Sequence, residues 1–182
     1  MRNSFENPYH QTGLAGLQHM PKDDATKVTA LLAKCPVHKA TPLLSMQDLA
    51  DHIGVAQVYV KDERDRMGLG SFKALGAAYA IACEAAEKVV ADEWDVALRG
   101  EGFITASAGK HGRSVAAGAR VFGANAIIFL AESVPEAFAD RLRAIGADVV
   151  RAGATYEDSL VAAQASADAG QGKLLSDGSW PG

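Results

Sequence analysis

The sequence predicts an α/β fold, an open parallel sheet with flanking helices. Three observations predict it. From Gly102 onward, short apolar runs alternate with stretches of helical periodicity. Each run is closed by a turn built from glycine, serine or proline. The composition, 48% hydrophobic and 22% charged over 182 residues, is that of an ordinary globular chain. Strands that alternate with helices at this rhythm belong to one parallel sheet joined by right-handed crossovers.

Residues 1–26 show no periodicity and are punctuated by Pro8, Gly13, Gly16 and Pro21, so irregular structure with one short helix is expected. Asp23 to Thr26 offer a cap for a helix over 27–34, with Val28, Leu31 and Leu32 on its apolar side; Pro36 stops it. Pro42 restricts Thr41 to extended geometry. A short helix over 46–53 follows, with Gly54 as its C-cap. Residues 56–61 read as a strand and 61–66 as a charged stretch, either a solvated turn or a site-lining loop. Ser71 is the expected N-cap of a long helix over 72–92, whose apolar stripe is Leu75, Ala78, Tyr79, Ala82, Ala85 and Val89. A charged loop, 91–101, leads to a strand over 102–106.

The small-residue loop Ser107-Ala108-Gly109-Lys110-His111-Gly112 then opens a helix over 111–122, with Val115, Ala119 and Phe122 inward. A buried strand covers 124–130. Ser133-Val134-Pro135-Glu136 has the S-x-x-E pattern of a capping box. Phe138, Leu142 and Ile145 mark the face of the next helix, and Gly146 ends it. A strand over 148–151, a helix capped by Thr155 to Asp158 and running to 169, and a last strand over 173–176 complete the pattern. Ligands of such sheets lie beyond the carboxyl ends of strands. The loops after residues 61, 106, 130 and 176 are therefore expected on the functional edge.

Charge and spacing exclude several function classes. The net charge of −4 and pI near 5.7 argue against nucleic acid as a partner. No apolar run approaches the roughly 20 residues of a membrane span, and residues 1–9 lack an apolar signal core. The five histidines show neither HxxxH nor HExxH spacing, so no metal site is expected. Cys35 and Cys83 have no CxxC spacing and suit a reducing, cytoplasmic compartment. The 107–112 loop matches neither a P-loop nor a dinucleotide fingerprint, although its backbone N–H groups suit an anion or ligand oxygen. Lys73 falls in the first turn of its helix. A helix start favours anions, and the neutral amine is the form that attacks a carbonyl.

Thr41-Pro42-Leu43, Val58-Tyr59-Val60-Lys61-Asp62-Glu63, Ser71-Phe72-Lys73 and Ser107-Ala108-Gly109-Lys110-His111-Gly112 resemble, in order and spacing, the N-terminal half of the fold-type-II pyridoxal-phosphate enzymes. Within that family the resemblance is greatest to the diaminopropionate ammonia-lyases. It is carried further by Gly68 to Ala80, by His111-Gly112-Arg113-Ser114-Val115-Ala116 and by Ser176-Asp177-Gly178-Ser179-Trp180.

The resemblance implies a cofactor, pyridoxal 5'-phosphate, and a small amino acid substrate. Lys73 would hold the cofactor as a Schiff base and, once displaced by substrate, carry protons. Elimination of the β-amino group of 2,3-diaminopropionate would yield pyruvate and ammonia. Phe72 would pack beside the ring, and Ser107, Ala108, Gly109, Lys110, His111 and Gly112 would face its phenolic oxygen and the substrate carboxylate. Asp177 would face the substrate amines as a second catalytic group. Lys110 stands where the family has asparagine, and Ala108 where the ammonia-lyases have aspartate. The resemblance further implies a homodimer. It also implies residues 1–82 as an incomplete part of a large cofactor domain, 83–173 as a small α/β domain, and 174–182 as the return to the large one. A serine or threonine dehydratase-like lyase is the alternative, and a truncated half that acts only by association is another.

Overall fold

The structure is a computed structural model, and it describes residues 24–178. Trp180, Ser179 and the expected irregular N-terminal stretch before Asp24 lie outside the described residues.

Four parallel strands form the central sheet in the order β5-β4-β3-β6. They are β3 (Gly102–Ala106), β4 (Asn125–Leu130), β5 (Asp148–Arg151) and β6 (Lys173–Leu174). Helices α4 (Lys110–Val121), α5 (Glu136–Ile145) and α6 (Tyr156–Asp168) connect them. Period-two alternation assigns the two faces. Phe103, Ala126, Ile128 and Leu130 pack against Val115, Ala119, Ala139 and Leu142 of α4 and α5. Ile104, Ala106 and Phe129 pack with Ala163 of α6 on the other face.

The chain leaves β3 toward β4 on one side, and returns from β5 through α6 to β6 on the other side. The carboxyl ends of β3 and β6 thus flank a topological switch point, where open α/β sheets bind ligands.

Helix α3 (Lys73–Lys88) lies on α4. Its buried stripe is Ala74, Ala77, Ile81 and Ala85. The expected stripe is shifted by about one position: Leu75, Ala78, Tyr79 and Ala82 instead line an apolar groove with Leu31 and Val121. Small residues allow the close approach. A Cβ at Gly118 would stand 3.0 Å from Ile81 Cδ1 and 3.4 Å from the Ala78 backbone, and the buried Ser114 hydroxyl donates to the Ala74 carbonyl at 3.0 Å. The helix ends at Lys88 rather than at 92. Val89 is extended (ψ 131°), and Ala91 and Asp92 are left-handed, with φ 54° and 63°.

The N-terminal elements are α1 (Thr26–Ala33), β1 (Leu43–Ser45), α2 (Gln47–Ile53) and β2 (Tyr59–Lys61). The expected strand over 56–61 shrinks to β2, and it does not join the parallel sheet. It pairs antiparallel with β1, Leu43 opposite Lys61 and Ser45 opposite Tyr59. The turn after it is not wholly solvated. Arg66 is buried and donates to Glu63 from Nε and one terminal nitrogen (2.6 and 2.7 Å), to Thr41 Oγ1 (2.8 Å) and to the Lys39 carbonyl (3.2 Å). Thr41 in turn donates to Glu63 at 2.6 Å. Donation from Arg66, and then from Thr41, holds the Glu63 carboxyl down to about 2.

Of two expected helix caps, one is absent and one is present. Ser133 does not cap α5: Pro135 is the N-cap, and the Glu136 carboxylate accepts instead from Arg143 (2.6 Å) and Arg151 (2.5 Å). The capping box is real at α6. There Thr155 Oγ1 accepts from the Asp158 N–H at 3.2 Å, and Asp158 accepts from the Thr155 N–H at 3.0 Å. Gly54 and Gly146 take the left-handed C-cap conformation, as their positions predict.

Candidate active site

Residues from three helix starts and one strand end meet at the carboxyl edge of the sheet. Lys73 and Lys110 are the first residues of α3 and α4, Tyr156 is the first of α6, and Asp177 follows β6. With Ser71, Ser107, Ala108, Gly109 and His111 they enclose a cavity of about 400 Å³.

Ser107 organises the loop after β3. Its buried hydroxyl accepts from the N–H groups of Gly109 (3.1 Å) and Gly112 (2.9 Å) and donates to the Gly109 carbonyl (3.1 Å). This is the expected behaviour of a serine before a helix. Gly112 packs against Ser107: a Cβ there would stand 3.0 Å from both the Ser107 Cβ and Ile128 Cγ2. At Gly109, by contrast, nothing lies within 4 Å of where a Cβ would stand, so the backbone is open to an approaching group.

Lys73 and Asp177 meet across the cavity, Nζ to Oδ2 at 2.5 Å. The bond from Lys73 holds the Asp177 carboxyl below the ordinary carboxylate range; the charges of Lys73 and His111 act in the same direction. The buried His111 ring places Nε2 2.9 Å from the Leu175 carbonyl oxygen. A carbonyl only accepts, so Nε2 carries the proton. Burial first, and then the charge of Asp177, raise the Tyr156 hydroxyl above its ordinary value, so it stays a donor. Lys110 Nζ donates to the Gly70 carbonyl at 2.5 Å and ties the start of α4 to the loop that leads into Lys73.

Of the residues expected from the sequence, Lys73, Asp177, Ser107, Ala108, Gly109, Lys110 and His111 line the cavity. Phe72 and Gly112 do not. Phe72, expected beside a ring, is 65% exposed, and Gly112 is buried behind Ser107. The loop after Leu130 contributes no lining residue. Sequence reasoning took Ser71 only as a cap and missed Tyr156. The strand-end rule carried the missing signal, since Tyr156 follows the loop after β5.

Comparison with known proteins gives a consistent result. The family model for pyridoxal-phosphate dependent enzymes matches residues 35–180. The chain is 33% identical over 153 residues to the diaminopropionate ammonia-lyase of Escherichia coli, covering 80% of this chain and 38% of that protein. It is 33% identical over 123 residues to the biosynthetic L-threonine dehydratase of Pasteurella multocida, covering 68% of this chain and 22% of that one. Among solved structures it resembles the Escherichia coli diaminopropionate ammonia-lyase in complex with an aminoacrylate–pyridoxal phosphate azomethine intermediate. The TM-score is 0.74 and the identity 32%, over 86% of this chain and 41% of that one. The chain thus spans about two fifths of the length of the ammonia-lyases it matches.

Proposed function

Because the chain belongs to the pyridoxal-phosphate-dependent enzyme family, we propose that it carries the catalytic lysine of a carbon–nitrogen lyase that removes the β-amino group of 2,3-diaminopropionate as ammonia, the remaining aminoacrylate being hydrolysed by water to pyruvate and a second ammonia. The observation that carries this reading is the meeting of the Lys73 amine and the Asp177 carboxylate at 2.5 Å in one cavity at the sheet's switch point.

The residues present fit pyridoxal phosphate. A primary amine enters the cavity, the Gly109 backbone that lines it is open, with nothing within 4 Å of where a Cβ would stand, and Lys110 adds a cation for an anionic oxygen. When bound, the cofactor supplies a carbonyl that condenses with amines and a ring that accepts the electron pair left at Cα. Lys73 is the amine that holds it. Asp177 accepts from Lys73 in this structure; with Lys73 taken up by the cofactor, the carboxylate would be free to receive a substrate ammonium. Displaced from the cofactor by the substrate amine, the Lys73 Nζ would carry a proton from Cα toward the leaving β-nitrogen. Ser107 keeps the loop in the shape that presents its backbone, and His111, locked onto Leu175, holds the Asp177 strand end beside it. The reading includes a cytoplasmic homodimer.

The test is titration of the purified protein with pyridoxal phosphate, followed through the visible absorption of the bound cofactor. The wild-type chain gains the band and Lys73→Ala does not. A band that persists in Lys73→Ala removes Lys73 from its role; no band in either protein removes the cofactor site from this chain. Pyruvate release from 2,3-diaminopropionate, against release of 2-oxo acid from serine or threonine, separates the ammonia-lyase from a dehydratase.

A further inference from the structure

We infer that Tyr156 is a positioning residue of the site: its hydroxyl takes over as donor to Asp177 once Lys73 is occupied, and keeps that carboxylate ionised for the substrate. This rests on the reading of the cavity proposed above. With Lys73 taken up, Asp177 loses the strong donor it has in this structure. A half-buried carboxylate without a donor is easier to protonate, and the protonated acid is no counterion for a substrate ammonium. The titratable groups that line the cavity with Asp177 are Lys73 from α3, Lys110 and His111 from α4, and Tyr156 from α6. Lys110 Nζ is held at the Gly70 carbonyl, and His111 Nε2 donates to the Leu175 carbonyl. The Ser107 hydroxyl donates to the Gly109 carbonyl. The Tyr156 hydroxyl bonds to no group among the described residues, although the backbone carbonyl of the same residue is engaged by Ser159.

Tyr156 is also held in place. It is the first residue of α6, whose start is fixed by the capping box of Thr155 and Asp158. Its ring packs against the cluster of Ile104, Ala106, Phe129 and Ala163. An aromatic body on the core with a polar tip in a wet cavity is the arrangement that a tyrosine serves and a phenylalanine does not. Among the charges that act on the hydroxyl, that of Asp177 is the largest; Glu157 adds to it and Lys73 opposes it. When Lys73 is occupied the opposing charge goes, so the phenol is held more firmly in the protonated form that donates. A carboxylate has two oxygens. One takes the phenol, and the other is left for the substrate ammonium.

The test removes the Lys73 amine and reads Asp177 directly. Lys73→Ala stands for the chain whose lysine is occupied. Its aspartates are labelled with carbon-13 at the carboxyl, and the Asp177 signal is identified by its loss when Asp177→Asn is added. The signal is then followed through a pH titration. Adding Tyr156→Phe, which keeps the ring and its packing, should move the titration midpoint of Asp177 up. Ser71 also lines the cavity, and adding Ser71→Ala instead should leave the midpoint in place. A midpoint that Tyr156→Phe does not move overturns the inference, as does one that Ser71→Ala moves equally far. In the cofactor-loaded enzyme with Lys73 intact, the loss of kcat/KM in Tyr156→Phe should be about tenfold larger on the acid limb than on the plateau, the worth of one hydrogen bond to a charged group. The sign follows from the carboxyl: without its donor it protonates earlier as the pH falls. A raised midpoint in a chain that releases no 2-oxo acid from any amino acid removes the lyase reading and leaves the pairing of Tyr156 with Asp177 standing.

Discussion

At the scale of single residues, the proposed chemistry turns on one carboxylate, Asp177, which in this structure is paired with Lys73. Asp177 is held below the ordinary carboxylate range by the bond from Lys73. A depressed carboxyl keeps its pair intact at neutral pH and loses it as the pH falls through its lowered value. Both side chains are more than a third exposed, 39% and 34%, so the pair adds at most about 1 kcal/mol to stability. In the proposed reaction its weight lies in chemistry. Asp177→Asn should leave the thermal midpoint nearly unchanged, lower kcat/KM by about a hundredfold and remove the acid limb of the pH–rate profile. A pH profile that keeps its acid limb in the variant would assign that limb to another group. Tyr156 belongs at this scale too. Nothing in its immediate sequence marks it, because Thr155 and Asp158 beside it explain themselves as a helix cap. Only the path of the chain brings it to the cavity.

At the scale of elements, what was legible in the sequence is what local physics decides. Strands β3 and β5 follow apolar runs whose limits are set by flanking glycine and charge, and both fall where the pattern predicts. The α6 cap, the Gly54 and Gly146 C-caps and the Ser107 loop are likewise local. The buried stripe of α3 was not legible, because an alanine-rich helix offers two usable faces and α4 selects one. Gly118 is the residue through which it selects. Gly118→Val pushes a β-branched side chain toward Ile81 and the Ala78 backbone. The overpacking costs about 1–3 kcal/mol, against a helix-propensity gain of less than about 0.5 kcal/mol. A lower urea midpoint with unchanged slope is the expected result. The fate of residues 56–61 was equally hidden. Their alternation suits a strand, but no periodicity states which neighbour, or which direction, the strand will take.

At the scale of the whole molecule, the apolar surface is unevenly spread. The sheet of four strands is covered by helices on both faces, whereas the β1–β2 ribbon and α2 leave Leu43, Ile53, Tyr59 and Val60 open to solvent. Leu43 and Tyr59 share one face of the ribbon. Exposed apolar groups so grouped bind dyes and other surfaces. The double variant Leu43→Ser, Tyr59→Ser should bind less 8-anilinonaphthalene sulfonate than the wild type, with its far-ultraviolet circular dichroism preserved. Equal dye binding would place the sticky surface elsewhere, the groove between α1 and α3 being the next place to look.

The pairing of β6 with β3 joins residues about 70 positions apart through only two register pairs, Phe103 with Lys173 and Ile104 with Leu174. One further bond, Leu175 N–H to the Ile104 carbonyl at 2.7 Å, continues the ladder toward Asp177. The loop-closure entropy of so distant a contact must be met before so short a ladder rewards it. Pairing of Lys73 with Asp177 is therefore expected late in folding, after β6 docks. The lysine is expected earlier, on a helix that packs against its near neighbour in the chain. Its carboxylate arrives only when the last strand docks, so a chain caught before that step has a nearly complete core and no counterion for its lysine.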